Sequence, residues 1–194
     1  MKEAPSFETQ ELREFAEVLH GRRTVDQFLH TPVPDQLVRA ALEAATWAPN
    51  HYVSEPWHFI LPGAETVGRI VDLCAEMVCA QKGPELADHK QKAWREKPGW
   101  LIVTCPYNSE DALREKEDYA ACCAAVQNFM LYLWKAGVGS KWTTGAITRD
   151  ARFFDIIEAD IEKVFVVGML WFGYPKVTPT QSRAPVDVVT TTLP

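Results

Sequence analysis

Apolar positions recur at helical spacing along much of the chain. Residues 9–20 carry an apolar stripe that predicts an amphipathic helix, and Gly21 is expected to stop that helix. A second helix is predicted from the segment PVPDQLVRAALEAATWAP, which has one narrow face of small residues and ends at Pro49. Further helices are predicted over residues 64–80, 84–97 and 150–158.

The longest helical pattern covers residues 111–135. Its middle, YAACCAAVQNFMLYLW, is apolar nearly all round, so we expect a central, buried helix. Short apolar or β-branched runs predict strands at residues 57–61, 100–105 and 163–172, and the segment VGSKWTTG predicts a strand followed by a turn. Long helices between a few strands indicate an α+β fold.

The tail, residues 175–194, contains four prolines and the β-prone run VDVVTTT. A strand here would follow a long irregular stretch, so it is poorly placed to form a hairpin with the residues before it. We expect it to reach away from its own core and to pair with another subunit. The sequence has no repeat and no linker, so residues 1–194 are interpreted as a single domain that ends in this extended tail.

The charge balance narrows the range of partners. The 194-residue chain has a formal net charge of −6 and a pI of about 5.4, and no basic run could follow a phosphate backbone. Nucleic acid and anionic membrane surfaces are therefore not expected partners. No apolar run approaches the ~20 residues that span a bilayer, and the first residues lack the apolar core of a signal peptide. We expect a soluble, cytoplasmic protein.

Cysteine and histidine give no indication of a metal site. The five cysteines include no Cys-x-x-Cys pair, and Cys122 and Cys123 lie in an alanine-rich helical pattern that favours small core residues. His51 and His58 are separated by Pro56, which excludes a metal pair on one helix. No nucleophile elbow, Walker loop or dinucleotide fingerprint occurs. An enzyme with this sequence would need a cofactor for the difficult chemistry.

Four polar segments interrupt the apolar pattern: Arg22-Arg23-Thr24, residues 48–57, residues 139–145 and, more weakly, residues 182–185. Each also has a purely structural interpretation. Arginines after a helix complement its dipole by ~0.3–1 kcal/mol each. His51 suits an ordinary loop, Trp57 a core position at the start of a strand, Trp142 a turn, and a single Arg183 a solvated tail.

In this order, however, the segments resemble the nitroreductase family of flavoproteins, from about residue 14 to residue 194. The family's Arg-Arg-Ser/Thr signature is matched by Arg22-Arg23-Thr24, and its Ala-Pro loop and Gln-Pro-Trp strand start by APNHYVSEPWHF. The later matches are AGVGSKWTTGAIT and VVGMLWFGYP, and the Ala-Pro-Asn-His loop is most similar to the small, compact branch. The resemblance implies a central mixed or antiparallel sheet flanked by helices, with the C-terminal strand exchanged in a homodimer.

The resemblance also implies FMN at the dimer interface and NAD(P)H as electron donor. Arg22 would bind the FMN phosphate in a forked, charge-assisted geometry. Arg23 and Thr24 would follow the phosphate and ribityl chain, and Arg183 in the tail would also face phosphate. The remaining cofactor contacts implied by the resemblance are Trp47, His51, Trp142, Thr143, Thr144 and Gly145.

In such an enzyme the chemistry takes place at flavin N5, so no catalytic side chain is assigned. Donor and acceptor would use one site in turn, which predicts ping-pong kinetics with nitro-aromatic, quinone or related acceptors. Three residues depart from the family's pattern. Asp26 stands where a basic residue is usual, Glu55 where Gln is usual and Val53 where Asn is usual.

The departures at Asp26 and Glu55 motivate one alternative, a flavin-binding carrier or sensor without efficient turnover. A further alternative is a helical dimerisation module without a cofactor. The natural substrate, the choice between NADH and NADPH and any side-chain proton donor are not determined by the sequence.

Overall fold

The computed structural model describes residues 9–194. In this part of the chain the helices are α1 (Gln10–Gly21), α2 (Asp35–Thr46), α3 (Ala64–Lys82), α4 (Pro84–Arg95), α5 (Ala112–Lys135) and α6 (Ala151–Ile156). The strands are β1 (His58–Ile60), β2 (Gly99–Pro106), β3 (Gly139–Thr143) and β4 (Val164–Gly173). Short 3-10 helices occur at His51–Val53, Ala146–Arg149 and Val186–Val188.

The four strands form one sheet in the order β1-β2-β4-β3, and each neighbouring pair is antiparallel. Residues of β2 alternate between two cores. Leu101 and Val103 join a cluster with α2 and α5, whereas Trp100 and Ile102 join a second cluster with α3 and α6. Because helices cover both faces, the inner strands are apolar on both sides. The α+β fold with a helix-flanked antiparallel sheet is confirmed.

Helix α5 forms the centre of the first core, as its pattern predicts. Asp111 caps the helix, since its carboxylate accepts the backbone N–H groups of Leu113 and Arg114 at 3.0 Å each. Small residues of α2, Ala41 and Ala45, are completely buried in this cluster. Cys122 is completely buried too, so its assignment to the core is confirmed, while Cys123 is half-buried.

Gly21 does not stop α1 in the expected way. It is the last residue of the helix, and it does not have the positive φ of a glycine that follows a helix. Its small size serves packing instead, because a Cβ at Gly21 would lie 3.1 Å from the indole nitrogen of Trp134 on α5. The chain leaves the helix at Arg22.

The segment from Arg22 to Phe28 runs along the β3 edge of the sheet. Thr24 forms a parallel bridge with Ser140, and Val25 N–H donates to the Ser140 carbonyl at 3.0 Å. Phe28 then bridges Pro175 at the start of the tail. Gly139 makes this close approach possible, because a Cβ there would lie 2.6 Å from a Val25 methyl group. The segment therefore joins the end of α1 to both β3 and the tail.

The tail has no strand within the single chain. Residues 175–194 are largely exposed and contain only the short 3-10 helix at Val186–Val188, inside the run that has a strand's composition. The exchange of a C-terminal strand between subunits stays a prediction. Across residues 9–194, none of the helices has the length and apolar character needed to cross a membrane.

Candidate functional site

Three arginines meet at the end of α1. Arg22 and Arg23 follow the helix, and Arg183 reaches them from the tail, around a cavity of about 340 Å³. The other lining residues are Leu19, His20 and Gln181. We call this space the arginine cavity. Because its lining, among residues 9–194, contains three guanidinium groups and no carboxylate, it has the charge of an anion site.

Arg23 is held by backbone carbonyl groups from two parts of the chain. Its Nη1 donates to the carbonyl oxygens of His20 at 2.5 Å and Arg22 at 2.9 Å, and its Nη2 donates to that of Gln181 at 3.3 Å. The structural interpretation of the arginine pair therefore holds for Arg23, since the last carbonyl groups of a helix lack intrahelical partners. Within residues 9–194, however, its buried Nε has no acceptor.

Arg22 is in an unfavourable electrostatic environment. Burial lowers the pKa of this guanidinium, and the positive charges of Arg183 and Arg23 lower it further. Arg183 is exposed, and its Nη1 donates to the carbonyl of Ser182 at 3.2 Å. A bound anion would replace this mutual repulsion with attraction, which is the behaviour expected of a preformed anion site.

The segment Trp142–Gly145 lies at the other end of β3 from the bridge to Thr24. The Trp142 indole N–H donates to the Val167 carbonyl at 3.2 Å, and its ring occupies the space above Gly168, where a Cβ would lie 1.9 Å from Nε1. The indole is thus committed to packing on the sheet. Thr144 and Gly145 are exposed, so the turn after β3 is the accessible part of this segment.

Asp26, the first departure from the family pattern, is paired with two lysines. Lys141 Nζ lies 2.9 Å and Lys97 Nζ 3.6 Å from its Oδ1. The hydrogen bond from Lys141 is the main cause that lowers the pKa of Asp26. Both ammonium groups also lie over the Trp171 ring, 5.2 Å from its centre for Lys97 and 5.3 Å for Lys141.

This lysine cluster, Asp26 with Lys97 and Lys141, was not predicted from the sequence. Lys97 is 71 residues from Asp26 along the chain, and its side chain is only 9% exposed. A single lysine in the polar segment 139–145 was the only available signal. Two lysines, one on β3 and one just after α4, therefore lie beside the position where the family's pattern has a basic residue.

The loop that carries His51 lies elsewhere and is tied to α5. His51 Nδ1 lies 3.0 Å from Glu117 Oε2, and its ring stacks on Tyr52. Ser54 donates to the buried carboxylate of Asp118 at 2.5 Å. Neither His51 nor Trp47, which is 82% exposed, lines the arginine cavity of its own chain.

Three residues of this loop adopt positive φ without being glycine: Tyr52 at 60°, Val53 at 51° and Glu55 at 45°. Such backbone is costly for a residue with a side chain, most of all for a β-branched one. Asn50 supports it, because its Oδ1 accepts the Glu55 N–H at 2.6 Å and its Nδ2 donates to Ser54 at 2.9 Å. The two departures in this loop, Val53 and Glu55, thus occupy strained backbone positions.

Comparisons with known proteins agree with the fold. The model of the nitroreductase family matches residues 19–174. A Bacillus subtilis protein named for NAD(P)H nitroreductase activity, YfhC, is 28% identical over 176 residues, covering 88% of this chain and 89% of its own length. The crystal structure of a nitroreductase-like family protein from Bacillus cereus superposes with a TM-score of 0.80 at 30% identity, covering 98% and 99% of the two chains.

A Desulfovibrio desulfuricans structure with bound FMN has the same fold. It superposes with a TM-score of 0.74 at 22% identity and covers 93% of this chain and 96% of that one.

Proposed function

Because the chain belongs to the nitroreductase family, we propose that it is an FMN-dependent oxidoreductase that uses NAD(P)H to reduce nitro-aromatic, quinone or related acceptors. The observation that carries the cofactor assignment is the arginine cavity, where Arg22, Arg23 and Arg183 meet and no carboxylate of residues 9–194 lines the space. The name of the Bacillus subtilis relative supports NAD(P)H as the donor, and the FMN-bound Desulfovibrio structure supports FMN as the cofactor.

The arginine cavity fits a phosphate dianion. Arg22 and Arg183 offer planar guanidinium groups, which bind phosphate oxygens through two parallel hydrogen bonds. Arg23 is already oriented by three carbonyl groups, and its Nε is the one buried donor there that a phosphate oxygen would satisfy. Thr24 follows with an exposed side chain and would contact the ribityl chain.

The β3 end of the site would hold the flavin ring. Thr143, Thr144 and Gly145 present polar backbone at the accessible turn, and Trp142 fixes that turn to β4 through its bond to Val167. FMN, when bound, would supply the electron and hydride chemistry, alternating between nicotinamide and acceptor in ping-pong fashion. The chain's residues hold and orient the cofactor, and no side chain is assigned as catalytic.

A second copy of the chain would complete the site. His51 and Trp47 belong neither to the lining of the arginine cavity nor to the turn after β3, and the His51 loop is tied to α5, so we assign their cofactor contacts to the site of the other subunit. Helix α1 has an unusually open apolar face, with Leu12 49%, Phe15 59% and Leu19 42% exposed. Between α1 and α5 lies an apolar groove of about 470 Å³ that a homodimer would cover.

The visible spectrum of the purified protein tests the cofactor and donor together. We expect a flavin spectrum that bleaches when NADPH or NADH is added without oxygen and returns when a quinone is added. A flavin that bleaches but gives no turnover with any quinone or nitro-aromatic acceptor would favour the carrier or sensor. A protein that stays colourless after incubation with FMN and gel filtration would contradict the proposal.

Sedimentation velocity at micromolar concentration tests the dimer. The proposal expects a dimer of the FMN-loaded protein. A loaded monomer that turns over with donor and acceptor would show that His51 and Trp47 are not supplied by a second copy.

A further inference from the structure

Another cavity, of about 540 Å³, lies where the ends of three neighbouring strands come together. Tyr107 follows the end of β2, Thr144 follows the end of β3, and Phe165 lies near the start of β4. These three ends come together because β4 is antiparallel to both β2 and β3. The first turns of α5 close the other side with Glu115 and Tyr119. We call this space the aromatic cleft.

One wall of the aromatic cleft consists of three rings. The Phe165 ring centre lies 5.1 Å from that of Tyr107 and 6.0 Å from that of Tyr119, with the ring planes tilted by about 45°. Tyr107 and Tyr119 are 47% and 45% exposed, so their faces are open to a ligand. Aromatic walls of this kind favour planar aromatic ligands, which stack on or meet them edge to face.

Arg149 brings a positive charge to the same cleft. It ends the 3-10 helix Ala146–Arg149, which is fixed by the buried residues Ile147 and Thr148. Thr148 also donates both its N–H and its hydroxyl to the Gly145 carbonyl, at 3.0 and 2.9 Å. Over residues 9–194, no carboxylate lies within ion-pair distance of Arg149. In an acidic protein, such a guanidinium is available to an external anion.

The other charged side chain that lines the cleft, Glu115, is already engaged with the backbone. Its Oε2 accepts the backbone N–H of Asn108 at 2.9 Å, so it closes the turn that leads into α5. It also lies in the first turn of that helix, where the helix dipole stabilises negative charge. Of the two charged side chains that line the cleft, Arg149 is therefore the one without an ion-pair partner over residues 9–194, so a ligand's carboxylate would bind there.

The aromatic cleft and the candidate cofactor site share one segment. Thr144 lines the cleft and belongs to the turn assigned to the flavin ring, whereas Ser140 bridges Thr24 beside the arginine cavity. The four residue steps from Ser140 to Thr144 span about 13 Å of extended chain. The cleft thus lies at the opposite end of β3 from the arginine cavity, next to where the reactive ring would be.

We propose that the aromatic cleft binds a planar aromatic ligand that carries a carboxylate, with the ring against Tyr107, Tyr119 and Phe165 and the carboxylate at Arg149. If the proposed function holds, on which this role rests, the ligand is the electron acceptor, and Arg149 is a specificity determinant for negatively charged aromatic acceptors.

Equilibrium dialysis with 4-nitrobenzoate and its uncharged counterpart 4-nitrobenzamide tests the proposal. The protein is used oxidised and without NAD(P)H, so nothing is reduced. We expect the carboxylate to bind about fivefold more tightly than the amide, as for a partly exposed ion pair. Arg149→Gln should remove this preference, and Tyr119→Leu should weaken both ligands. Lys116→Gln is the matched control, since Lys116 is an exposed neighbouring cation on α5 that does not line the cleft.

The proposal is overturned if the wild-type protein does not distinguish the two ligands, if Arg149→Gln keeps the preference, or if Lys116→Gln loses as much of it. Dialysis separates this proposal from the proposed function. A carboxylate preference that depends on Arg149 in a protein that takes up no FMN would leave the cleft standing and remove the oxidoreductase. A protein whose flavin bleaches with NAD(P)H but which does not bind the carboxylate more tightly than the amide would keep the proposed function and overturn the proposal for the cleft.

Discussion

Two groups of cations lie along the segment that follows α1, and their surroundings differ. In the arginine cavity, Arg22, Arg23 and Arg183 meet without a carboxylate, and one buried nitrogen of Arg23 has no acceptor within residues 9–194. In the lysine cluster, Lys97 and Lys141 share the carboxylate of Asp26 and the ring of Trp171. Asp26 lies only four residues after Arg22 along the chain.

The difference teaches how to separate a binding site from an internal contact. In the lysine cluster the charges are satisfied within the chain, so the cluster contributes to the fold. In the arginine cavity the charges repel one another, so the fold tolerates them and a ligand would stabilise them. A variant in the arginine cavity should therefore change the affinity for an anion, whereas a variant in the lysine cluster should change the stability of the free protein.

Arg22→Ala should have the largest effect, and on ligand affinity alone. Loss of a charged hydrogen-bond donor to phosphate costs about 1.5–3 kcal/mol, or roughly 10- to 150-fold in the Kd for FMN. The free protein should keep its stability, because burial and two neighbouring charges already disfavour this guanidinium. FMN fluorescence titration and urea unfolding of the free protein measure the two quantities.

Arg95→Ala is the control for this variant. Arg95 forms an exposed ion pair with Asp72, so its removal should change neither quantity by more than ~0.5 kcal/mol. An Arg22→Ala protein that binds FMN as wild type does would show that the arginine cavity is not the phosphate site.

Asp26→Asn should act on stability. It removes the carboxylate beside the nearly buried ammonium of Lys97, while the hydrogen bond from Lys97 to the Asp26 carbonyl remains. Removing one partner of a fully buried pair costs several kcal/mol, but the Asp26 side chain is 61% exposed, so we expect about 1 kcal/mol. Urea unfolding measures it, with Asp72→Asn as the control, because the partner of Asp72, Arg95, is exposed whereas Lys97 is nearly buried. Equal losses in both variants would show that the lysine cluster contributes no more to stability than an exposed ion pair.

Arg183→Gln should have a smaller effect on FMN affinity than Arg22→Ala. Arg183 is exposed and comes from the tail, so solvent screens its attraction for phosphate. We expect a rise in Kd of up to about fivefold, which is the range of exposed ion pairs. The same titration measures it. A larger loss of FMN affinity than for Arg22→Ala would show that the tail, and not the end of α1, provides the main phosphate contact.

The smallest expected effect is the pH dependence of the stability that the lysine cluster contributes. The pKa of Asp26 lies below its ordinary value of 3.8, mainly because Lys141 donates a hydrogen bond to the carboxylate. Its contribution to stability is therefore complete above that ordinary value and is lost as the pH falls through the lower pKa of the folded protein. The stability difference between wild type and Asp26→Asn should narrow below about pH 4. A difference that widens in acid would contradict this pairing.

The secondary structure was predictable from local sequence. Hydrophobic periodicity predicts α5 to within one residue of its observed start, because Asp111 is a clear cap, and it places β2 and β4 within one residue at each end. The chain order of the polar segments, compared with a known family, singled out Arg22, Arg23 and Arg183, which line one cavity in the structure. Their contact with phosphate stays a prediction.

Contacts between distant segments were not predictable in this way. Lys97 meets Asp26 only because α4 ends beside the segment that follows α1, and no local pattern specifies that meeting. Tyr52, Val53 and Glu55 are poor candidates for positive φ by residue type, and their conformation depends on Asn50 and on the contact with Asp118. The β-prone tail adopts no strand without a neighbour to pair with.

The most direct test of the central claim compares FMN with riboflavin, which lacks only the phosphate. If the arginine cavity binds that phosphate, the wild-type protein should bind FMN at least tenfold more tightly than riboflavin. Arg22→Ala should close most of this gap by weakening FMN and leaving riboflavin unchanged. Equal affinities for the two flavins in the wild-type protein, or a gap that Arg22→Ala leaves intact, would contradict the account.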